Sequence, residues 1–155
     1  MTSSAALLSE FDEEMANTRK VLERVPENSL AWRPHEKAFT LGRLANHVAV
    51  LPLGAAILIH RRGSRPPEAT SIAELLATFD STVAASRDAL ASINDKRLAE
   101  TVRVTPEISK TLLSALRGRG LMNHLIHHRG QLILYLRILN VPVPGLYGPS
   151  ADEKS

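Results

Sequence analysis

Apolar residues recur at three- and four-residue intervals in four stretches of the chain, the spacing that lines one face of an α-helix. The first stretch runs from Ser3 to Val25. Leu7, Leu8, Phe11, Met15, Val21 and Leu22 form its apolar side, and Asp12, Glu13 and Glu14 its acidic side. Pro26 ends it, because proline has no N–H to donate and restricts the residue before it. Residues 26–40 form a connection with two prolines and the only tryptophan. Trp32 reads either as an aromatic lid on the end of the fold or as ordinary core filling. Thr40 can cap a second helix that runs to about Arg61, and Pro52 predicts a kink in it just after His47.

Residues 62–70, RGSRPPEAT, are a breaker-rich linker. Ser71-Ile72-Ala73-Glu74 matches a capping box and opens a third helix to about Ile93. Its inward side holds Leu75, Leu76, Phe79, Val83 and Leu90. Asn94, Asp95 and Lys96 read as a turn, and Thr105-Pro106-Glu107 as a helix start. The fourth helix, from about Ile108 to Asn140, is the longest. Gly118 and Gly120 weaken its first half and mark a kink or close packing. Residues 141–155 form an extended Pro/Gly-rich tail.

Four amphipathic helices with no alternating strand pattern predict an all-α four-helix bundle. Its connections of about ten or more residues permit non-neighbour links, so an up-down-down-up order is open to it. At 155 residues the chain is long enough for one domain, 1–155, with a real core. Aromatics make up only 4%, so Leu, Ala, Val and Ile must fill that core.

The chain contains no cysteine, which excludes disulfides, thiolate metal ligands and a cysteine nucleophile. Any metal site must use histidine, carboxylate and water. There is no signal-like N-terminal segment and no run of about 18 apolar residues. The expectation is a soluble cytosolic protein that does not span a membrane. The net charge of +3 is modest for a nucleic-acid binder. With few aromatics to stack on bases and no recognition motif, the expected partner is a small molecule and not nucleic acid. Two basic groups stand out, Arg61, Arg62 and Arg65, and Arg117 with Arg119. They read either as cations at helix C-termini, where the dipole favours them, or as contacts to a small anionic ligand or phosphate.

Three of the six histidines fall between His124 and His128. On a helix, His124 and His128 are about 40° apart and one turn apart. Their face overlaps the apolar stripe of Leu121, Leu125, Leu132, Leu136 and Leu139, whereas His127 points to one side. His47 lies within about 60° of Leu44, Leu51 and Leu58 on its own helix. A lone histidine on an apolar face is usually a satisfied core residue. Three such imidazoles facing one interior leave several polar atoms in need of partners, and one divalent ion satisfies three at once. Three histidines with open positions form the catalytic pattern for zinc, though imidazole also suits nickel and iron. The HExxH pattern of zinc proteases and the Glu-x-x-His pairs of di-iron bundles are both absent. Gln131 lies about 20° from His124 on the wheel and can reach the pocket. Arg129 points away, toward a loop or another helix. His35 and His60 are expected at the surface.

These residues also carry a resemblance. Trp32-Arg33-Pro34 followed by TLGRLANH, ending at His47, resembles the DinB/YfiT-like family. HLIHHRGQL, from His124 to Leu132, is similar to that family's H-x-x-x-H-R-G-Q signature, and PVPGLYGPSAD to the tail of such chains. The resemblance implies a four-helix bundle in up-down-down-up order, often dimeric. It also implies a divalent metal, commonly zinc or nickel, on three histidines that map onto His47, His124 and His128, with His127 outside the set. In a metal-dependent enzyme, Gln131 and Arg129 would orient neighbours of the site. Members include S-transferases that use small thiols such as bacillithiol or mycothiol, and a related maleylpyruvate isomerase. The expectation is a metal-dependent transferase or hydrolase acting with a small thiol or water. The alternative is a non-enzymatic metal- or ligand-binding bundle.

Overall fold

The computed structural model describes residues 2–154 and is mostly helical. Helix α1 spans Ser3–Leu22, and the Thr2 hydroxyl caps it by accepting from the Ala5 N–H. Its buried residues include Leu7, Phe11, Met15, Thr18, Val21 and Leu22, the stripe expected from the spacing, and also Glu14. A single 3-10 turn, Glu27–Ser29, begins the long connection to the next helix.

The proline at 52 does more than kink the second helix. It splits it into α2, Leu41–Val50, and α3, Leu53–His60, whose axes differ by 41°. The break disturbs the helical hydrogen-bond ladder, and hydroxyls on the neighbouring helix α4, Ile72–Ala91, bond to backbone carbonyls on both sides of it. Thr82 Oγ1 donates to the Ala49 carbonyl at 2.8 Å and Ser86 Oγ to the Pro52 carbonyl at 2.5 Å. Both hydroxyl residues are buried. Ser71 caps α4 as the capping box predicts, accepting from the Glu74 N–H. The Glu74 carboxylate reaches one residue further back and accepts from the Thr70 N–H and hydroxyl.

The segment from Asn94 to Leu121 differs most from the sequence expectation. Asn94 is not a plain turn residue. It caps a short helix α5, Asp95–Ala99. Two three-residue strands follow, β1, Thr101–Arg103, and β2, Ser109–Thr111. They pair antiparallel with Thr101 opposite Thr111, Val102 opposite Lys110 and Arg103 opposite Ser109. Thr105-Pro106-Glu107 is therefore the tip of a hairpin and not a helix start. Proline's fixed φ suits the first position of a turn as well as that of a helix. The expected helix from Ile108 to Asn140 is also two helices. Helix α6 spans Leu112–Arg117, capped by the Thr111 hydroxyl, and α7 spans Met122–Ile138. Gly118, Arg119 and Gly120 make the break between them.

Glycine at 120 is there because two backbones meet. A Cβ on Gly54 of α3 would lie 2.1 Å from the Gly120 carbonyl oxygen, and one on Gly120 would lie 2.4 Å from Leu58 Cδ1. Asn140, with φ 58°, closes α7. The Val141 N–H then bonds the Leu136 carbonyl at 3.0 Å in a left-handed C-terminal cap.

Helix α1 packs against α4 and α7, α2 against α4 and α7, and α3 against α4 and α6. The first helical unit thus lies beside the third and fourth, which the long connections permit. One continuous core of Leu, Ala, Val, Ile, Met and two phenylalanines fills the space between them. Trp32 packs against that core with its ring edge-on to Tyr135, centroids 5.6 Å apart. Residues 141–154 have no regular secondary structure, but they do not hang free. Val143 is buried, Asp152 pairs with Arg137 at 2.6 Å, and Glu153 pairs with Arg24. Among the described residues, no single helix is long and apolar enough to cross a membrane.

Candidate metal centre

Helix α2 supplies His47, and the first two turns of α7 supply His124 and His128. Since α2 and α7 pack together, the three rings meet. Their centroids are 5.2 Å apart for His47 and His124, 4.4 Å for His47 and His128, and 4.8 Å for His124 and His128. One ring nitrogen from each lies within 4.8 Å of the other two, and all three residues are half-buried. His47 Nε2 is 3.4 Å from His124 Nε2. A tetrahedral zinc about 2.0–2.1 Å from each nitrogen holds its ligand atoms about 3.3–3.4 Å apart. His47 and His124 already stand at that spacing, and with a His128 nitrogen within 4.8 Å of both the donor set fits such an ion. No cysteine or carboxylate joins the group among the described residues.

Two outward-facing nitrogens already have partners. His124 Nδ1 lies 3.1 Å from the Arg119 carbonyl oxygen, and His128 Nδ1 lies 2.8 Å from Gln131 Oε1. Both partners accept, so each Nδ1 carries its hydrogen and each Nε2 keeps a free lone pair. Gln131 Nε2 in turn donates to His127 Nε2 at 3.2 Å. Gln131 thus touches both His128 and His127. His127 is exposed and stands outside the group, as do His35 and His60. Arg129 turns the other way. It is buried against α1, where it pairs with Glu14 at 2.7 Å and donates to Thr18 Oγ1 and the Glu14 carbonyl.

Burial, then the neighbouring His128 and His124, then Arg65 and Arg43, push His47 down to about 4. Burial and His128 also lower His124, against the opposing pull of its hydrogen bond to Arg119. His47 and His124 are therefore neutral at pH 7, with lone pairs available. A stability signature follows for the metal-free protein. In the unfolded chain His47 titrates near the ordinary 6.5. Between that value and about 4 the unfolded state holds more protons, so stability rises with pH across the window. It is complete above about 6.5 and lost as pH falls toward 4. Urea midpoints of chelator-treated protein at pH 7 and pH 5 are expected to differ more for wild type than for His47→Gln. Equal differences would show that His47 is not held neutral.

Two cavities flank the group. One, of about 250 Å³, borders His47 and is walled by Phe39, Val50, Pro66 and Pro67, with Arg43, Asn46, Arg65 and Glu68 as its polar residues. The other, of about 380 Å³, borders His124 beside Arg65, Arg119 and the apolar side chains of Leu53, Ile57, Leu58 and Val104. Arg43 lies over the Phe39 ring, 4.2 Å from its centroid. The sequence reading does not place Arg43, Asn46, Arg65 or Glu68 at the site. Only the unexplained basic group around Arg65 gave a signal. The loop that carries it is fastened by Asn46, whose amide donates to the Ala69 carbonyl at 3.1 Å and accepts from the Ala69 N–H at 2.8 Å.

Known proteins share this fold to a measurable degree. A crystal structure of a DinB-like protein from Bacillus cereus ATCC 10987 superposes with a TM-score of 0.76 at 26% identity, over 91% of this chain and 95% of that one. A DinB-like protein from Bacillus subtilis, YjoA, shares the fold with a TM-score of 0.73 at 17% identity, over 91% and 96% of the two chains. In sequence, the uncharacterized protein YrdA of Bacillus subtilis strain 168 is 25% identical over 151 residues, 94% of this chain and 89% of that protein. The DinB superfamily model matches residues 10–132, a span that starts in α1 and includes all three clustered histidines, so the chain belongs to the DinB superfamily.

Proposed function

We propose that His47, His124 and His128 hold one divalent ion, zinc or nickel, and that the protein is a metal-dependent enzyme of thiol S-transferase or hydrolase type. The observation that carries this reading is a convergent set of three imidazoles, with no fourth protein ligand among the described residues and a cavity on either side. A structural zinc site is closed by four protein ligands, whereas a catalytic one keeps a position open. Bound there, a divalent ion supplies Lewis acidity, which favours the deprotonated form of a water or small thiol at neutral pH. The chain has no cysteine, so any sulfur nucleophile must arrive as a separate small thiol. The protein's own part is orientation. Gln131 and the Arg119 carbonyl hold His128 and His124 in the tautomer that presents Nε2.

The test is elemental analysis of untagged protein beside His47→Ala and His124→Ala. One equivalent of metal, lost in both variants, is the expected result. No metal in wild type, even after zinc or nickel is added, would overturn the reading. Gln131→Ala is expected to weaken metal affinity by about 10–100-fold without unfolding the protein, as measured by competition with a chromophoric chelator. Loaded protein is then screened for thiol consumption against a panel of electrophiles. Stoichiometric metal with no turnover would favour a non-enzymatic metal- or ligand-binding role.

A further inference from the structure

Three guanidinium groups face the space around the histidines. Arg43 lines the cavity at His47, Arg119 lines the cavity at His124, and Arg65 lines both. None of the three has a carboxylate within ion-pair distance among the described residues, whereas Arg19, Arg24, Arg87, Arg97, Arg117 and Arg129 all do. Among the described residues, Glu68 is the only carboxylate that lines either cavity. Like charges lining these two neighbouring cavities repel one another and lower the local potential energy of an anion. The loop bearing Arg65 is not loosely placed, because the paired hydrogen bonds of Asn46 and Ala69 fasten it to α2. The apolar walls beside these arginines keep part of the space free of competing polar groups. A guanidinium presents a planar fork of donors that matches carboxylate or phosphate oxygens.

We infer that the site takes a small molecule carrying an oxyanion, a carboxylate or a phosphate, gripped by Arg65 together with Arg43 or Arg119 while its donor atom sits at the three histidines. The inference rests on the metal reading above and names the class of ligand that the centre serves. Arg65 is then the residue that sets specificity, since it is the one charged residue among the described residues that borders both cavities.

The test uses the full chain loaded with cobalt(II), whose thiolate charge-transfer absorption reports sulfur at the metal. Mercaptosuccinate and inorganic thiophosphate are titrated beside uncharged 2-mercaptoethanol and cationic cysteamine. At low salt at least one anionic thiol is expected to bind about tenfold more tightly than 2-mercaptoethanol, one charge-assisted contact's worth, and the gap should narrow as sodium chloride is raised. Which anion gains more separates a carboxylate ligand from a phosphate ligand. Arg65→Gln should cut the preference to about twofold or less while leaving cobalt content and the 2-mercaptoethanol affinity unchanged. Equal binding of all four thiols would overturn the inference while leaving the metal reading intact, and so would an anion preference that survives Arg65→Gln and Arg119→Gln together. If cobalt does not bind, the metal reading fails, and succinate and phosphate are tested on the metal-free protein by thermal shift. A salt-sensitive shift that Arg65→Gln removes would then support the anion site alone, and no shift would overturn it too.

Discussion

Replacing Arg129 with alanine is expected to lower folding stability by about 3–5 kcal/mol, the usual effect of breaking a buried ion pair from one side. The Arg129 side chain is 2% exposed and that of Glu14 10%. Both oxygens of Glu14 accept from the Tyr147 hydroxyl at 2.8 Å, and the same hydroxyl accepts from Arg129. Three segments distant in sequence, α1, α7 and the tail, therefore meet on one small polar cluster. Alanine at 129 leaves the Glu14 carboxylate in the interior with a phenol as its remaining side-chain partner, and it empties the volume of a large side chain. Replacing the charged pair together, as Glu14→Leu with Arg129→Met, is expected to recover most of the loss, because well-packed apolar residues often match a buried ion pair. Urea unfolding of the three proteins measures this. A loss below about 1 kcal/mol in Arg129→Ala would show that water compensates the pair, as it does for surface ion pairs.

Gly54→Ala is expected to destabilise the protein by about 3 kcal/mol, at the upper end for overpacking. The new methyl would have to displace a backbone carbonyl, that of Gly120, from 2.1 Å, and no side-chain rotation can relieve that. The same displacement reaches the site, since the Arg119 carbonyl next to Gly120 holds His124. Metal affinity should therefore fall together with stability, as seen by chelator competition and urea unfolding on one sample. Gly130→Ala is the matched control. It lies in α7, is exposed, and would place its Cβ with nothing within 4 Å. It should gain about 0.5–1 kcal/mol from reduced backbone freedom in the unfolded chain. If Gly54→Ala behaved like Gly130→Ala, the close approach of α3 to the 118–120 segment would be refuted.

How far the sequence is legible depends on whether a feature is local. His47, His124 and His128 declare themselves because helical periodicity alone sets each imidazole on an apolar face. The position of Gln131 follows from the same wheel. The hairpin at 101–111 does not declare itself, because strands of three residues are too short to show alternation. Its turn, Thr105-Pro106-Glu107, carries residues that also begin helices. The split of the last helix was visible as Gly118 and Gly120, but its cause lies in Gly54, on another element. Glu14 looks like one more acid on a solvated face until Arg129 arrives from α7. Arg65 comes to the site only because a loop crosses over α2, fastened at Asn46 and Ala69. Residues defined by long-range partners stayed hidden, and residues defined by their own helix did not.

A load applied near residue 154 would not peel α7 from its end. It enters the molecule through Glu153 to Arg24, just beyond α1, and through Asp152 to Arg137 on α7, with Tyr147 behind them on Glu14 and Arg129. Tension is thereby divided between two helices in parallel. Mechanically the tail is a strap across the joint between them.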